Sequence, residues 1–270
     1  MGCIKIALAQ INPKLGNLKY NLKLHIDYIK KAQENECDLI IFPENSLTGY
    51  YLKDLTYEVA IKENDLSLFE IYNYSNSLGI LIGFIEESEH FEYFSSSALI
   101  FKKKLLFKHR KVFLPSYSLF DEKRFLKEGN SFKKTNFLSF KLGNLICEDA
   151  WHLISYLNLL YSDIIIVQAN SPYQEGIEEF YLSLGKTIST LLGCYFIFVN
   201  RVGYEDGISF WGNSFVYSPL GKLILRLSDK EEIAYFFADK REIRQARVKL
   251  PLIKEWDKYK YLLKDISNIG

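Results

Sequence analysis

Apolar positions along this chain fall into short runs separated by polar ones, and they follow two spacings. Ile4 to Gln10, Asp38 to Glu44, Ile80 to Glu86, Asp163 to Ala169 and Tyr195 to Asn200 are nearly continuous apolar runs. Runs of this length, rich in Ile and Val, predict strands buried on both faces. Between them, Leu22, Ile26 and Ile29, and later Leu184, Ile188 and Leu191, recur at the spacing that places them on one face of a helix. Asn12-Pro13 predicts a turn after the first strand, and Pro43 stops the second. A helix near Leu66 to Leu78 precedes the third strand.

The segments "SSALIF" and "KLLFKH" predict a hairpin, Arg110 to Ser131 a long loop region, and Phe137 to Phe140 and Asn144 to Cys147 two strands. A further helix follows Trp151. Strands near Ser214 to Tyr217 and Leu223 to Leu227 are joined through Ser218-Pro219-Leu220-Gly221, a turn sequence. Ile233 to Ala238 predicts the last strand, and Asp239 to about Val248 a charged helix. No short repeat, low-complexity linker or composition break interrupts the series. Residues 1–270 therefore read as one α/β domain with too many strands for a single simple sheet, the last ~25 residues forming a C-terminal extension.

Composition narrows the function classes. Of the 270 residues 48% are hydrophobic, enough for a sizeable core, and a net charge of +1 gives no global pull toward nucleic acid or anionic membrane. The densest basic cluster, Lys102 to Lys104 and Lys108 to Lys111, falls in the hairpin and reads mostly as a solvated edge. No stretch reaches the ~18–20 apolar residues of a membrane span. Cys3, Cys37, Cys147 and Cys194 are scattered without CxxC spacing, which predicts free thiols in a reducing cytoplasm. His25, His90, His109 and His152 show no ligand spacing, so neither a metal nor a cofactor is expected.

Three predicted strand ends each present one ionisable residue: Glu44, Lys111 and Cys147. Strand ends are where α/β folds assemble sites. A thiol becomes nucleophilic when a carboxylate takes its proton, and an ammonium can lower its pKa and later hold an oxyanion. Spacing alone leaves open whether the three converge. Each could equally be a solvated loop residue or, for Cys147, a buried strand-end thiol. His152, five residues past Cys147, offers a Cys–His dyad as an alternative, although a helix starting at Trp151 would carry it away.

Taken together, "FPENSLTGY", "HRKVFLP" and "LICEDAW" resemble, in order and spacing, the three signature segments of the nitrilase superfamily of carbon–nitrogen hydrolases. The resemblance runs from Ile4 to about Leu227. It implies a four-layer α-β-β-α sandwich and a catalytic triad with Glu44 as general base and acid, Lys111 as oxyanion-stabilising cation and Cys147 as nucleophile. The backbone N–H of Glu148 would complete the oxyanion hole. Within that superfamily, "LTGYYLKDL", "LPSYSLFDEKRFLKEG", "ICEDAW" and "ANSPYQ" are similar to the glutaminase domain of glutamine-dependent NAD synthetases. This implies that Glu122 supports Lys111, that Tyr50, Tyr117 and Trp151 wall the substrate pocket, and that Ser171 faces it near the substrate's α-carbon.

Two departures qualify the likeness. The basic stretch usual after the Ser-Pro of that pattern is replaced by Gly176, Ile177, Glu178 and Glu179, and no SGGxDS-type pyrophosphate loop of a synthetase half is present. The expected activity is hydrolysis of a small, glutamine-like carboxamide through a cysteine thioester, releasing ammonia. A nitrilase or general aliphatic amidase is the alternative, and an idle nitrilase-like binding subunit is the alternative of another class. The implied partners are a second copy, as homodimer or higher homo-oligomer, and a separate ammonia-using synthetase.

Overall fold

The computed structural model describes residues 2–63, 65–256 and 258. In chain order the first strands are β1 (Cys3–Gln10), β2 (Leu39–Ile41), β3 (Gly79–Glu87), β4 (Tyr93–Phe101) and β5 (Lys104–Arg110). They are followed by β6 (Lys134–Phe137), β7 (Phe140–Ile146), β8 (Ile164–Ala169) and β9 (Tyr195–Asn200). A small pair, β10 (Val202–Glu205) and β11 (Ile208–Trp211), precedes β12 (Phe215–Tyr217), β13 (Leu223–Arg226) and β14 (Glu232–Asp239). One six-stranded sheet runs β14-β1-β2-β3-β4-β5, and a second runs β13-β12-β9-β8-β7-β6.

Strand alternation builds the layers. In β1, Ile4, Ile6 and Leu8 enter the core between the sheets, while Ala7 and Ala9 face the other way. In β8 the same division separates Ile164 and Ile166 from Ile165 and Val167. Both faces are therefore covered, which is why these strands read as unbroken apolar runs. Helices Leu18–Glu34 and Leu66–Tyr72 cover the outer face of the first sheet through residues such as Ile29, Ala32 and Ile71. Helices Leu153–Asn158 and Ile177–Leu192 cover the second through Tyr156, Tyr181 and Ile188. This is the expected four-layer α-β-β-α sandwich.

Several boundaries differ from the sequence reading. The segment Phe137 to Phe140 is the turn between β6 and β7, with Leu138 at φ +49°. The helix predicted over Leu66 to Leu78 ends at Tyr72. The buried stripe of helix Ile177–Leu192 is Ile177, Tyr181, Gly185, Ile188 and Leu192, and Leu191 is exposed. Gly185 explains the shift. A Cβ there would lie 2.9 Å from both Phe196 and Phe215, so the helix approaches the sheet along that face. The hairpin β10–β11 was not anticipated. Its signal was Asp206-Gly207, whose φ values of +49° and +80° suit a two-residue hairpin turn.

In the basic cluster, Lys102 to Lys104 are exposed, but Lys108 and Arg110 pair with the buried Glu86. Burial alone would raise the Glu86 pKa, yet hydrogen bonds from Arg110, Ser96 and Lys108 bring it down to about 2. Cys3, Cys37, Cys147 and Cys194 are all free thiols. Among the described residues no helix is long and apolar enough to cross a membrane. Most of the expected C-terminal extension, from residue 259 on, lies outside the described residues.

Candidate active site

Lys111 directly follows β5, Cys147 directly follows β7, and Glu44 lies just beyond β2. The turn carrying Glu44 packs closely on β3. A Cβ at Gly83 would stand 2.5 Å from the Asn45 nitrogen and 2.7 Å from the Pro43 oxygen, so only glycine lets the turn settle there. The opposite sheet holds the carboxylate. Asn170, at the end of β8, donates its backbone N–H to Glu44 Oε2 at 2.9 Å and its side-chain amide to the Glu44 carbonyl at 2.6 Å.

Lys111 brings two carboxylates together. Its Nζ donates to Glu44 Oε1 at 2.8 Å and to Glu122 Oε1 at 2.7 Å, and the Tyr50 hydroxyl donates to the same Glu122 oxygen at 2.7 Å. The other oxygen, Glu122 Oε2, is buried and has no hydrogen-bond partner among the described residues. Tyr50 is itself fixed by Glu205, whose Oε1 accepts from the backbone N–H of Tyr50 at 2.9 Å and of Tyr51 at 2.5 Å.

Cys147 opens a 3₁₀ turn, Cys147–Trp151, with φ +44°, a conformation that non-glycine residues adopt only under constraint. Its Sγ lies 3.7 Å from the Tyr181 hydroxyl, which accepts from Trp151 Nε1 at 2.9 Å. Asp149 supplies the constraint. Its Oδ1 accepts from the backbone N–H groups of Val112 and Phe113 at 2.9 and 3.0 Å, and its Oδ2 from that of Ile146 at 3.2 Å. His109 Nε2 lies 2.8 Å from Oδ2. One fully buried carboxylate thus ties the segment after Lys111 to the turn that begins with Cys147.

Burial and charge compete here. Desolvation works against the Lys111 ammonium, but Glu122 and Glu44 outweigh it and hold its pKa well above the usual lysine range. Burial pushes the Glu122 carboxyl up to about 7; the Lys111 charge opposes that and the Glu44 charge adds to it. Burial also pushes the Cys147 thiol well up, and the negative charge of Glu44 outweighs the pull of Lys111. The Lys111 ammonium does lower this thiol, as expected, but burial and the Glu44 charge outweigh it, so the net shift is upward and the resting group is a thiol.

A cleft opens over Cys147, walled by Tyr117, Phe120, Glu148, Trp151, Ser171 and Ile177. Tyr117 donates its hydroxyl to Glu148 Oε2 at 2.9 Å, and the Ser171 backbone N–H donates to Asn200 Oδ1 at 2.9 Å. Tyr50 stands behind Glu122 and lines the neighbouring hollow. His152 stacks on Phe113 with ring centroids 3.6 Å apart and sits 3.8 Å from Glu148 Oε1, so its ring faces these groups. Among the described residues no group of three or more His, Cys, Asp or Glu is placed to hold a metal. Sequence reasoning missed Asn170, Tyr181 and Asp149. Tyr181 falls on the buried stripe of its helix and passes for a core aromatic; Asn170 and Asp149 stand beside recognised motif residues.

Comparison with known proteins identifies the family. The carbon–nitrogen hydrolase family pattern matches residues 5–257. The glutamine-dependent NAD(+) synthetase of Acinetobacter baylyi is 31% identical over 251 residues, covering 92% of this chain and 46% of that protein. The solved glutamine-dependent NAD+ synthetase of Acinetobacter baumannii superposes with a TM-score of 0.82 at 30% identity, over 90% of this chain and 47% of that one. The chain thus spans about half the length of the curated relatives it matches. An amidase from Nesterenkonia sp. AN1, in a structure with the acetamide moiety of fluoroacetamide added at its active-site cysteine, shares the fold with a TM-score of 0.80. That likeness extends over 90% of this chain and 92% of the amidase, at 18% identity. By sequence and fold alike, the chain belongs to the carbon–nitrogen hydrolase family.

Proposed function

We propose that this chain hydrolyses a small linear carboxamide of about glutamine's length through a thioester on Cys147, releasing ammonia. The observation that carries the reading is the meeting of three strand ends from two sheets, with Lys111 clamped between Glu44 and Glu122 beside a thiol on a strained turn. Because the resting thiol is protonated, its proton passes to Glu44 as Sγ attacks the amide carbon. The tetrahedral oxyanion is received by Lys111 Nζ and the Glu148 backbone N–H. Glu44 returns the proton to the amide nitrogen, the C–N bond breaks and ammonia leaves. Water, deprotonated by Glu44, then attacks the thioester and frees the acid and the thiol. Glu122 and Tyr50 fix the position of Lys111.

The likeness to glutamine-dependent synthetases supports a glutamine-like substrate and an ammonia-using synthetase as the acceptor of the released ammonia. A second reading, a general aliphatic amidase, is favoured by the apolar Ile177 in the cleft wall. Nitriles could use the same residues. An idle binding subunit would need none of the Glu44, Lys111 and Cys147 arrangement kept. The purified protein, assembling as a homo-oligomer on this reading, should release ammonia from at least one of glutamine, simple aliphatic amides and nitriles, with or without an ammonia-using synthetase. Cys147→Ala should abolish that release. Equal release by Cys147→Ala would overturn the assignment of the nucleophile, and inertness of the wild type toward every compound would favour the binding subunit.

A further inference from the structure

The cleft above Cys147 has a definite charge character. Its walls carry one ionisable acid, Glu148, and among the described residues that line it there is no lysine, arginine or histidine. The nearby cations are already engaged. Lys111 is bound by Glu44 and Glu122. Arg226, on the strand beside helix Ile177–Leu192, is 2.5 Å from Glu178 Oε1 and 3.0 Å from Asn213 Oδ1. His152 faces Glu148 and stacks on Phe113. The helix that ends in the cleft wall at Ile177 could attract an anion with its positive end, but its first turn carries Glu178 and Glu179, which complement that end already.

A substrate carboxylate entering this cleft would lose water, meet no free cation among the described residues and approach Glu148. A substrate ammonium would lose the same water but gain the Glu148 carboxylate, which Tyr117 holds in place by a 2.9 Å hydrogen bond. The apolar remainder of the wall, Trp151, Ile177 and Phe120, suits a short methylene chain. We infer that the cleft selects a carboxamide whose far end is an amine, without a carboxylate beside it. This inference rests on the amide-hydrolase reading above and names its substrate class: an ω-amino carboxamide in preference to glutamine itself.

Four amides of similar length separate the charges: 4-aminobutanamide (cationic), pentanamide (neutral), glutamine (zwitterionic) and 4-carbamoylbutanoate (anionic). Ammonia release by the purified protein should rank them in that order by kcat/KM, with cation and anion differing by about tenfold or more. Glu148→Gln, which keeps the backbone N–H, should flatten the preference for the cation, and Ile177→Arg should raise glutamine and the anion relative to it. Glutamine or the anionic amide as best substrate would overturn the inference while leaving amide hydrolysis intact. If no amide turns over, that reading fails instead, and the charge inference is still decided by alkylation. Labelling of Cys147 by 2-bromoethylamine, iodoacetamide and iodoacetate, each relative to glutathione, should fall in that order, with the difference reduced in Glu148→Gln. Labelling fastest with iodoacetate, or unchanged by Glu148→Gln, would overturn it.

Discussion

Two buried cations in this molecule are handled in opposite ways. Arg201 is fully buried and all its partners are satisfied: Glu205 on one side, the Asn12 side chain at 3.2 Å and the Pro13 carbonyl at 2.9 Å on the other. Glu205 in turn spends its second oxygen on the backbone N–H groups of Tyr50 and Tyr51. One cation meets one anion, and the network closes. Lys111 meets two carboxyl groups beside a thiol, and Glu122 Oε2 is left without a partner among the described residues. The closed network rigidifies the chain behind the site. The open one gathers three titratable side chains around one ammonium and leaves a buried carboxyl oxygen unused, an arrangement that costs stability and suits chemistry.

The comparison breaks most visibly at Arg201. Arg201→Met should lower stability by about 3–5 kcal/mol, because Glu205 is left as an uncompensated buried carboxylate. Denaturant unfolding would measure it, and a loss within about 0.5 kcal/mol, typical of an unremarkable surface change, would show that the pair is not structural. Lys111 tests the other side. Lys111→Arg should reduce kcat by about 10²–10³, as much as Lys111→Ala, since a planar guanidinium cannot occupy the point between two carboxylates where the ammonium sits. Near-normal kcat in Lys111→Arg would remove Lys111 from the reaction.

A smaller effect sharpens the contrast with a buried group that carries no charge. His25 is bonded to the Asn21 carbonyl at 2.7 Å and the Ser46 hydroxyl at 2.9 Å, two residues past Glu44. Burial lowers its pKa from 6.5 to about 4, so the folded state holds it neutral. The stability this represents is fully present above pH 6.5 and is lost as pH falls through about 4, on the order of 3 kcal/mol in all. Unfolding measured at pH 7 and pH 4.5 should show a larger drop for the wild type than for His25→Gln. Identical drops would mean that His25 contributes nothing to acid sensitivity.

Much of the fold was legible because doubly covered strands leave unbroken apolar runs, as in β1, β8 and β9. Where a glycine replaced an apolar residue on the packed face, at Gly185, the periodicity pointed to the wrong stripe. Glu44, Lys111 and Cys147 were legible as strand-end residues, but their convergence depends on two sheets meeting, which no local spacing encodes. Asn170 and Asp149 stayed hidden for the same reason. Each acts across the chain, on Glu44 from β8 and on the segment after Lys111 from the Cys147 turn, and nothing in its own neighbourhood announces the partner. The upward net shift of the thiol pKa was equally beyond the sequence, since it depends on burial and on counting every charge around one atom.

The position of Asp149 has a mechanical consequence. Glu44 and Lys111 ride on the first sheet and Cys147 on the second, so the site measures the alignment of two stacked plates. Asp149 and Asn170 pin the plates at the working end, and Gln168 adds a third pin by donating to the Phe42 carbonyl at 2.7 Å. A slip of about 1 Å between reacting groups can cost on the order of 10² in rate. The tolerance of the reaction is therefore much tighter than the tolerance of the apolar interior between the sheets. A protein warmed or mutated until its sheets shear slightly would stop turning over substrate while its core still excluded water.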